Sequence, residues 1–334
     1  MELTTVADDE AVVHDGLDVR VHADLEPDTT YELDGFVFRT LPRPPGELLC
    51  RFGTVNDVHF GEVEAGIIEG MELGPTFSSG PGDEPYPEMM NRHAVADLVA
   101  ADLDAVVVKG DLTSRGTEDE HQAFLDCYEP ALGDRLHYVR GNHESYHGLH
   151  VGPATPFAVE LPGVTVAVVD TSLDGRPNGG LDGEQLAWLR DLAVGTAGPV
   201  LVAGHHHCWN PESGSRPDDY FGIDPDDSER LIEVVAAHPN LVGYVAGHTH
   251  RNRVRRFSAT RDVPFVEVAS VKEFPGVWAE YRVFEGGILQ IVRRISHPDA
   301  LAWGDRTRAM YGGMFEAYAF GELADRCFAF GSAA

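Results

Sequence analysis

The chain has 334 residues, of which 43% are hydrophobic and 24% charged. That composition excludes wholesale disorder and leaves room for one large domain with an appendage, or for two domains. Asp and Glu number 55 against 25 Lys and Arg, a formal net charge of −30, which disfavours non-specific binding to nucleic acid or to an anionic membrane.

Residues 1–10 are acidic and lack the apolar centre of a secretory signal. No apolar run approaches the roughly 18 residues that span a bilayer. The expectation is a cytoplasmic protein with neither a nucleic-acid nor a membrane partner. Cys50, Cys127, Cys208 and Cys327 are far apart and form no CxxC pair, so no disulfide framework is expected.

Residues 1–47 are expected to form a small β-rich appendage. Val19-Arg20-Val21-His22 alternates apolar and polar side chains, as a half-buried strand does. A turn over 25–31 leads into another strand, and Pro42-Arg43-Pro44-Pro45-Gly46 reads as a linker. From residue 48 to 296, the expected catalytic domain, the pattern changes. Short apolar runs end near Val55, Val108, Val139, Val169, Ala203 and Val245. Helical stretches lie between them, at about 87–101, 117–132, 183–192 and 226–236. Strands alternating with helices predict a layered α/β core. After His250 the pattern turns β-rich, over 265–269, 278–284 and 288–295. Residues 297–334 hold Trp303, Tyr311, Phe315, Tyr318, Phe320, Phe328 and Phe330. So aromatic a segment is expected to pack on the body, or on a partner subunit in a homodimer.

Five polar clusters stand at or just after strand ends: Asp57-Val58-His59, Gly110-Asp111, Gly141-Asn142-His143-Glu144, Gly204-His205-His206-His207 and Gly247-His248-Thr249-His250. Loops converge at the carboxyl ends of strands in open α/β sheets, so one shared placement implies one site. Imidazole, carboxylate and amide oxygen together suit Zn, Fe, Mn or Co. Seven candidate ligands, namely Asp57, His59, Asp111, Asn142, His205, His248 and His250, are too many for one tetrahedral ion. They suit two ions that share a carboxylate. If D-x-H and H-x-H are extended, both side chains of each pair point the same way. Gly110, Gly141, Gly204 and Gly247 permit sharp turns or close backbone approach. Singly, each cluster also fits a turn or a helix cap; their joint occurrence in order carries the metal reading.

This series resembles the calcineurin-like metallophosphoesterase superfamily over about residues 48–296. The stretches 110–118 and 180–189 are similar to the branch with bacterial cyclic-nucleotide phosphodiesterases and glycerophosphodiesterases. The resemblance implies a four-layer α/β/β/α sandwich preceded by the β-appendage. It also implies two divalent or trivalent metal ions (Fe, Mn, Zn or Co). Asp57, His59, Asp111 and His250 would hold the first. Asp111 would bridge, and Asn142, His205 and His248 would complete the second. His143 would stand by the leaving-group oxygen. Two departures stand out. The branch often has His-His-Pro-Pro where this chain has His205-His206-His207-Cys208, so the ligand is assigned to His205 with His206 as the alternative. Glu144 follows the Asn-His pair where Asp is more usual.

The expected activity is hydrolysis of a small phosphodiester such as a 3′,5′-cyclic nucleotide. A hydroxide bridging two ions would attack phosphorus, and His143 would give the leaving alkoxide its proton. The ions reverse the repulsion that so acidic a protein would exert on phosphate. The alternatives are a phosphomonoesterase of the same superfamily, a nuclease, which so few basic residues disfavour, and a non-catalytic metal-binding scaffold. Other histidines are expected to be structural or surface groups, with His147 and His150 candidates for the pocket wall. Cys208 is expected to be an inert thiol. Arg251, Arg253, Arg255 and Arg256 fit either a phosphate patch or a solvated strand.

Overall fold

The computed structural model describes residues 1–68, 70–153 and 155–331. Three short strands open it, β1 (Glu2–Val6), β2 (Ala11–Asp15) and β3 (Asp18–His22), paired as an antiparallel sheet. A hairpin follows, β4 (Thr30–Leu33) and β5 (Phe36–Arg39). Its turn residues Asp34 and Gly35 take φ of 50° and 80°, the doubly left-handed turn that Asp-Gly supplies between twisted strands.

The body follows in chain order: β6 (Leu48–Val55), α1 (Tyr86–Ala100), β7 (Ala105–Lys109), α2 (Glu118–Leu132), β8 (Leu136–Val139), α3 (Asn142–Tyr146), β9 (Phe157–Leu161), β10 (Val164–Val168), α4 (Gly183–Gly195), β11 (Val200–Ala203), α5 (Pro225–Ala237) and β12 (Leu241–Ala246). Then come β13 (Arg253–Arg256), β14 (Pro264–Glu267), β15 (Val277–Phe284), β16 (Gly287–Arg294), α6 (Pro298–Thr307), α7 (Met314–Phe320), α8 (Leu323–Arg326) and β17 (Cys327–Phe330). They build two six-stranded sheets, ordered β17-β16-β15-β6-β7-β8 and β13-β14-β12-β11-β10-β9.

The two sheets face each other through Phe52, Val107, Tyr281, Val166, Leu201 and Val245. Helices α1, α2 and α6 cover the outer face of the first sheet with Leu98, Phe124 and Trp303. Helices α4 and α5 cover the second with Leu186, Leu189, Leu231 and Val235. This is the expected α/β/β/α order of layers. Burial on both faces explains why β7 reads Ala-Val-Val-Val-Lys with every residue buried. Local signals set the helix starts. The Thr117 hydroxyl accepts from the Glu120 N–H at the head of α2, and Asp182 accepts from the Gln185 N–H at the head of α4.

The opening sheet lies against β16, where the Thr5 hydroxyl donates to the Val292 carbonyl at 2.7 Å. Arg282 bonds Asp8 and Asp9, each at 2.7 Å, and buried Glu280 at 3.0 Å. In β3, Val21 is 58% exposed, against the half-buried strand expected there. β1 and β2 supply the buried side chains instead, with Val6, Ala11 and Val13 in the interior. The C-terminal aromatics are distributed over the body. Trp303 stacks on Tyr86 at 4.3 Å, Phe315 joins the core under α1, and Phe328 and Phe330 of β17 pack between the sheets. Among the described residues, no helix is long and apolar enough to cross a membrane.

Candidate metal centre

All five clusters meet at one edge of the sandwich, because β6, β7, β8, β11 and β12 run in the same sense within their sheets. Their backbones are sewn together. The N–H groups of Val58 and His59 donate to the Asp111 carbonyl at 3.0 and 2.9 Å, and the Gly247 N–H donates to the His205 carbonyl at 2.9 Å.

The expectation of extended D-x-H and H-x-H pairs is overturned. Asp57 (φ 55°), His59 (48°), Asp111 (49°), His248 (68°) and His250 (54°) all lie in the left-handed region. Such a conformation costs a non-glycine residue of order 1 kcal/mol or more and persists only where surroundings over-determine it. Here hydrogen bonds hold it: the Asp57 carboxylate accepts from the His248 N–H at 3.0 Å, and Asp111 Oδ1 accepts from the His143 N–H at 3.0 Å. Single-residue left-handed kinks, not strand periodicity, turn these side chains inward. Gly110 takes φ 86°, and a Cβ on Gly141 would collide with the Asp111 carboxylate.

At this edge ligand-type atoms fall into two groups, Asp57, His59, Asp111 and His250, and His205, His206 and His248; within each, one atom per residue lies within 4.8 Å of the others. Asp111 joins the groups, with Oδ2 at 3.5 Å from His59 Nε2 and 3.2 Å from His205 Nε2. Asn142 Oδ1 is 3.1 Å from the same His205 atom. The donor set fits metal ions. Both ring nitrogens of His59, and Nε2 of His248 and of His206, are buried without a hydrogen-bond partner, an arrangement costly to leave unmet. His205 is oriented for ligation by its Nδ1–H, which donates to the Lys109 carbonyl at 2.8 Å. His206 is held in the same manner, its Nδ1 at 2.9 Å from the Thr171 hydroxyl, which leaves Nε2 in the group with His205 and His248.

The charges sort by neighbour. Burial pushes the His59 imidazole down to about 4. Burial also opposes charge on His205, but Asp111 and Asp57 outweigh it and lift that ring to about 9. Burial would raise Asp111, and His205 and His143 hold it well below the carboxylate range instead. Behind the site, burial pushes Lys109 down to about 7. Its ammonium donates to Asn56 Oδ1 and the Ala246 carbonyl, both at 2.9 Å, and Asn56 in turn donates to Asp57.

A model of the calcineurin-like phosphoesterases matches residues 50–252. The chain belongs to this family. Among similar members is a probable cyclic nucleotide phosphodiesterase of Rhodococcus erythropolis, 28% identical over 181 residues that cover 50% of this chain and 58% of that one. A probable glycerophosphodiester phosphodiesterase of Arcobacter nitrofigilis is 25% identical over 44% of this chain and 57% of its own. A cAMP/cGMP dual specificity phosphodiesterase of Mycobacterium tuberculosis is 28% identical over 44% and 48%. The chain thus spans about half the length of these relatives. A dimetal phosphatase from Danio rerio shares the fold, with TM-score 0.58 and 17% identity over 75% of this chain and 98% of that one.

In this calcineurin-like phosphoesterase the centre opens into a cavity of about 550 Å³, lined by His59, Asp111, Asn142, His143, His248 and His250 on one side. His143 is anchored by its Nδ1–H, which donates to the Ser114 carbonyl at 2.6 Å. Neither His147 nor His150 lines the cavity; His150 lies 3.1 Å from an Arg140 nitrogen. Cys208 is buried, and burial lifts its thiol to about 12. Arg251 and Arg255 pair with Glu267 and line no part of the cavity.

Sequence reasoning missed Glu273, whose carboxylate accepts from His250 Nδ1–H at 2.5 Å, and Lys272, which bonds Glu273 at 3.0 Å and Glu62 at 2.5 Å. The signal available was the rarity of lysine in this chain. It also missed Phe221, whose ring lies 4.0 Å from that of His248. Glu144 bridges two ligand loops, accepting from the Thr113 N–H at 2.7 Å, the Thr113 hydroxyl at 2.6 Å and the Gly141 N–H at 2.6 Å.

Proposed function

We propose that the protein is a dinuclear-metal phosphodiesterase acting on small phosphodiesters such as 3′,5′-cyclic nucleotides. The observation that carries this is the pair of donor groups joined at Asp111 beside a cavity whose lining, among the described residues, holds no arginine. Its single lysine, Lys272, is already held between two carboxylates. Among the described residues no arginine or free lysine meets the second charge of a monoester, which favours a singly charged diester. The phosphodiesterase names of the relatives agree.

Asp57, His59, Asp111 and His250 would hold one ion, and Asp111, Asn142, His205 and His248 the other. The bound pair supplies Lewis-acid charge and activates water. The chain does the rest. Lys109, through Asn56, holds the Asp57 carboxylate toward the site. Glu144 holds the turn that presents Asn142 and His143. His143, fixed through Nδ1, has Nε2 left to give a proton to the departing alkoxide.

The test is hydrolysis of bis(p-nitrophenyl) phosphate beside p-nitrophenyl phosphate, with Mn and after chelation. Chelator-sensitive turnover that favours the diester is expected. Preference for the monoester would make it a phosphatase. No turnover of either by protein with both metals bound would leave a scaffold.

A further inference from the structure

The cavity has two unlike walls. Beside the imidazoles and carboxylates stands an apolar wall built by Ile68, Leu73, Phe221, Tyr311, Met314 and Tyr318. They come from three places in the chain: the loop after β6, the loop before α5, and the segment from the end of α6 through α7. The last of these lies beyond the residues matched by the family model.

The wall is fixed to the metal centre. The Phe221 ring rests 4.0 Å from that of His248, and the Tyr318 hydroxyl donates to the Thr249 carbonyl at 3.0 Å. Its parts are also fixed to each other. Gly74 packs so closely on the backbone of Gly312 that a Cβ there would come within 2.6 Å. Tyr311, Gly312 and Gly313 take φ of 54°, 67° and 86°, and this kink turns Tyr311 and Met314 over the cavity. Yet the wall is bare: Met314 is 66% exposed, Phe221 56% and Leu73 40%. Side chains so apolar, held in place over a polar floor, gain from a ligand that covers them. Among the described residues the cavity offers no arginine and no free lysine to a second anionic group.

We infer that Phe221, Tyr311, Met314 and Tyr318 form a pocket for the organic substituent of the substrate, and that the C-terminal segment selects phosphodiesters carrying a flat aromatic group. This rests on the diesterase proposed above. The wall and the donor groups line one cavity and are joined by direct contacts, so the wall is assigned to substrate.

The experiment compares diphenyl phosphate with dimethyl phosphate, equal in charge, for binding to the Mn-loaded protein by calorimetry. In parallel it compares bis(p-nitrophenyl) phosphate with methyl p-nitrophenyl phosphate, which share a leaving group, for kcat/KM. The aryl compound is expected to be favoured at least about tenfold in both, as covering an apolar ring provides. In Leu73→Ala/Met314→Ala, which touches no metal ligand, that ratio falls toward one, chiefly through KM. Phe221→Ala does the same, with metal content measured alongside. Equal binding of the two phosphates, or an unchanged ratio in the double variant, would overturn the pocket. Aryl-selective binding without turnover of any diester would uphold the pocket and sink the diesterase instead.

Discussion

Replacing Glu273 by Gln isolates the contribution of one carboxylate behind a histidine proposed to hold a metal ion. Gln keeps an oxygen that accepts from His250 Nδ1–H, now at 2.5 Å, and removes only the negative charge. A carboxylate there makes the imidazole a better donor through Nε2, and losing such a partner typically costs about 10–100-fold in metal affinity, or about 1.4–2.7 kcal/mol. Lys272 narrows the range. Its ammonium sits 3.0 Å from the same carboxylate and already offsets part of its field, so a loss of about tenfold is expected. Charge removal also leaves Lys272 with Glu62 as its one carboxylate partner, at 2.5 Å. Calorimetric titration of Mn or Zn into wild type and Glu273→Gln reads the loss directly, without reference to turnover. Only one of two binding events should weaken, because His205 and His248 do not touch Glu273. Unchanged affinity for both ions would refute the positioning role, and equal loss at both would show that the substitution damages the fold instead.

Three further outcomes are expected. Asp111→Asn removes the oxygen placed between both donor groups, and elemental analysis should find metal content reduced, with hydrolysis of bis(p-nitrophenyl) phosphate lowered more than about 100-fold, beyond the usual loss for a merely supporting residue. Glu144→Ala strands two buried N–H donors and a hydroxyl; at about 1–3 kcal/mol for each stranded group, urea unfolding should show a loss of at least about 3 kcal/mol. Glu280 tests the charges under the N-terminal sheet. Burial would raise its carboxyl, but Arg293, Arg282 and Arg51 hold it down to about 2 from its ordinary 4.5. The unfolded chain therefore takes up this proton first as pH falls. Ionised Glu280 adds about 3 kcal/mol above pH 4.5, lost as pH drops toward 2. Urea unfolding of Glu280→Gln against wild type should show that difference at pH 7 and less than half of it at pH 3; a pH-independent gap would contradict the assignment.

Much of the fold was legible in chain order. The strands ending near Val55, Val108, Val139, Ala203 and Val245 and the helices between them lie close to where the apolar runs placed them, because burial on both faces of a sheet writes itself as an uninterrupted apolar run. The opening strands were harder. Val19 to His22 looked like the half-buried strand, yet β1 and β2 carry the buried side chains, since short alternations do not say which strand of a sheet faces the body.

The sequence by itself determined the family and the candidate ligands, because metal chemistry restricts the usable side chains and the fold presents them after successive strands. Asp57, His59, Asp111, Asn142, His205, His248 and His250 were all nameable from their clusters. How they converge was decided only in three dimensions: left-handed kinks at Asp57, His59, Asp111, His248 and His250 break the period-two rule on which the extended pairs rested, and a dihedral angle of that kind depends on long-range hydrogen bonds. Tertiary structure alone also brought Glu273 behind His250, turned His206 toward Thr171, and carried Tyr311, Met314 and Tyr318 from the far end of the chain to the cavity. Those placements depend on contacts between residues distant in sequence, which no local pattern of apolar and polar residues encodes.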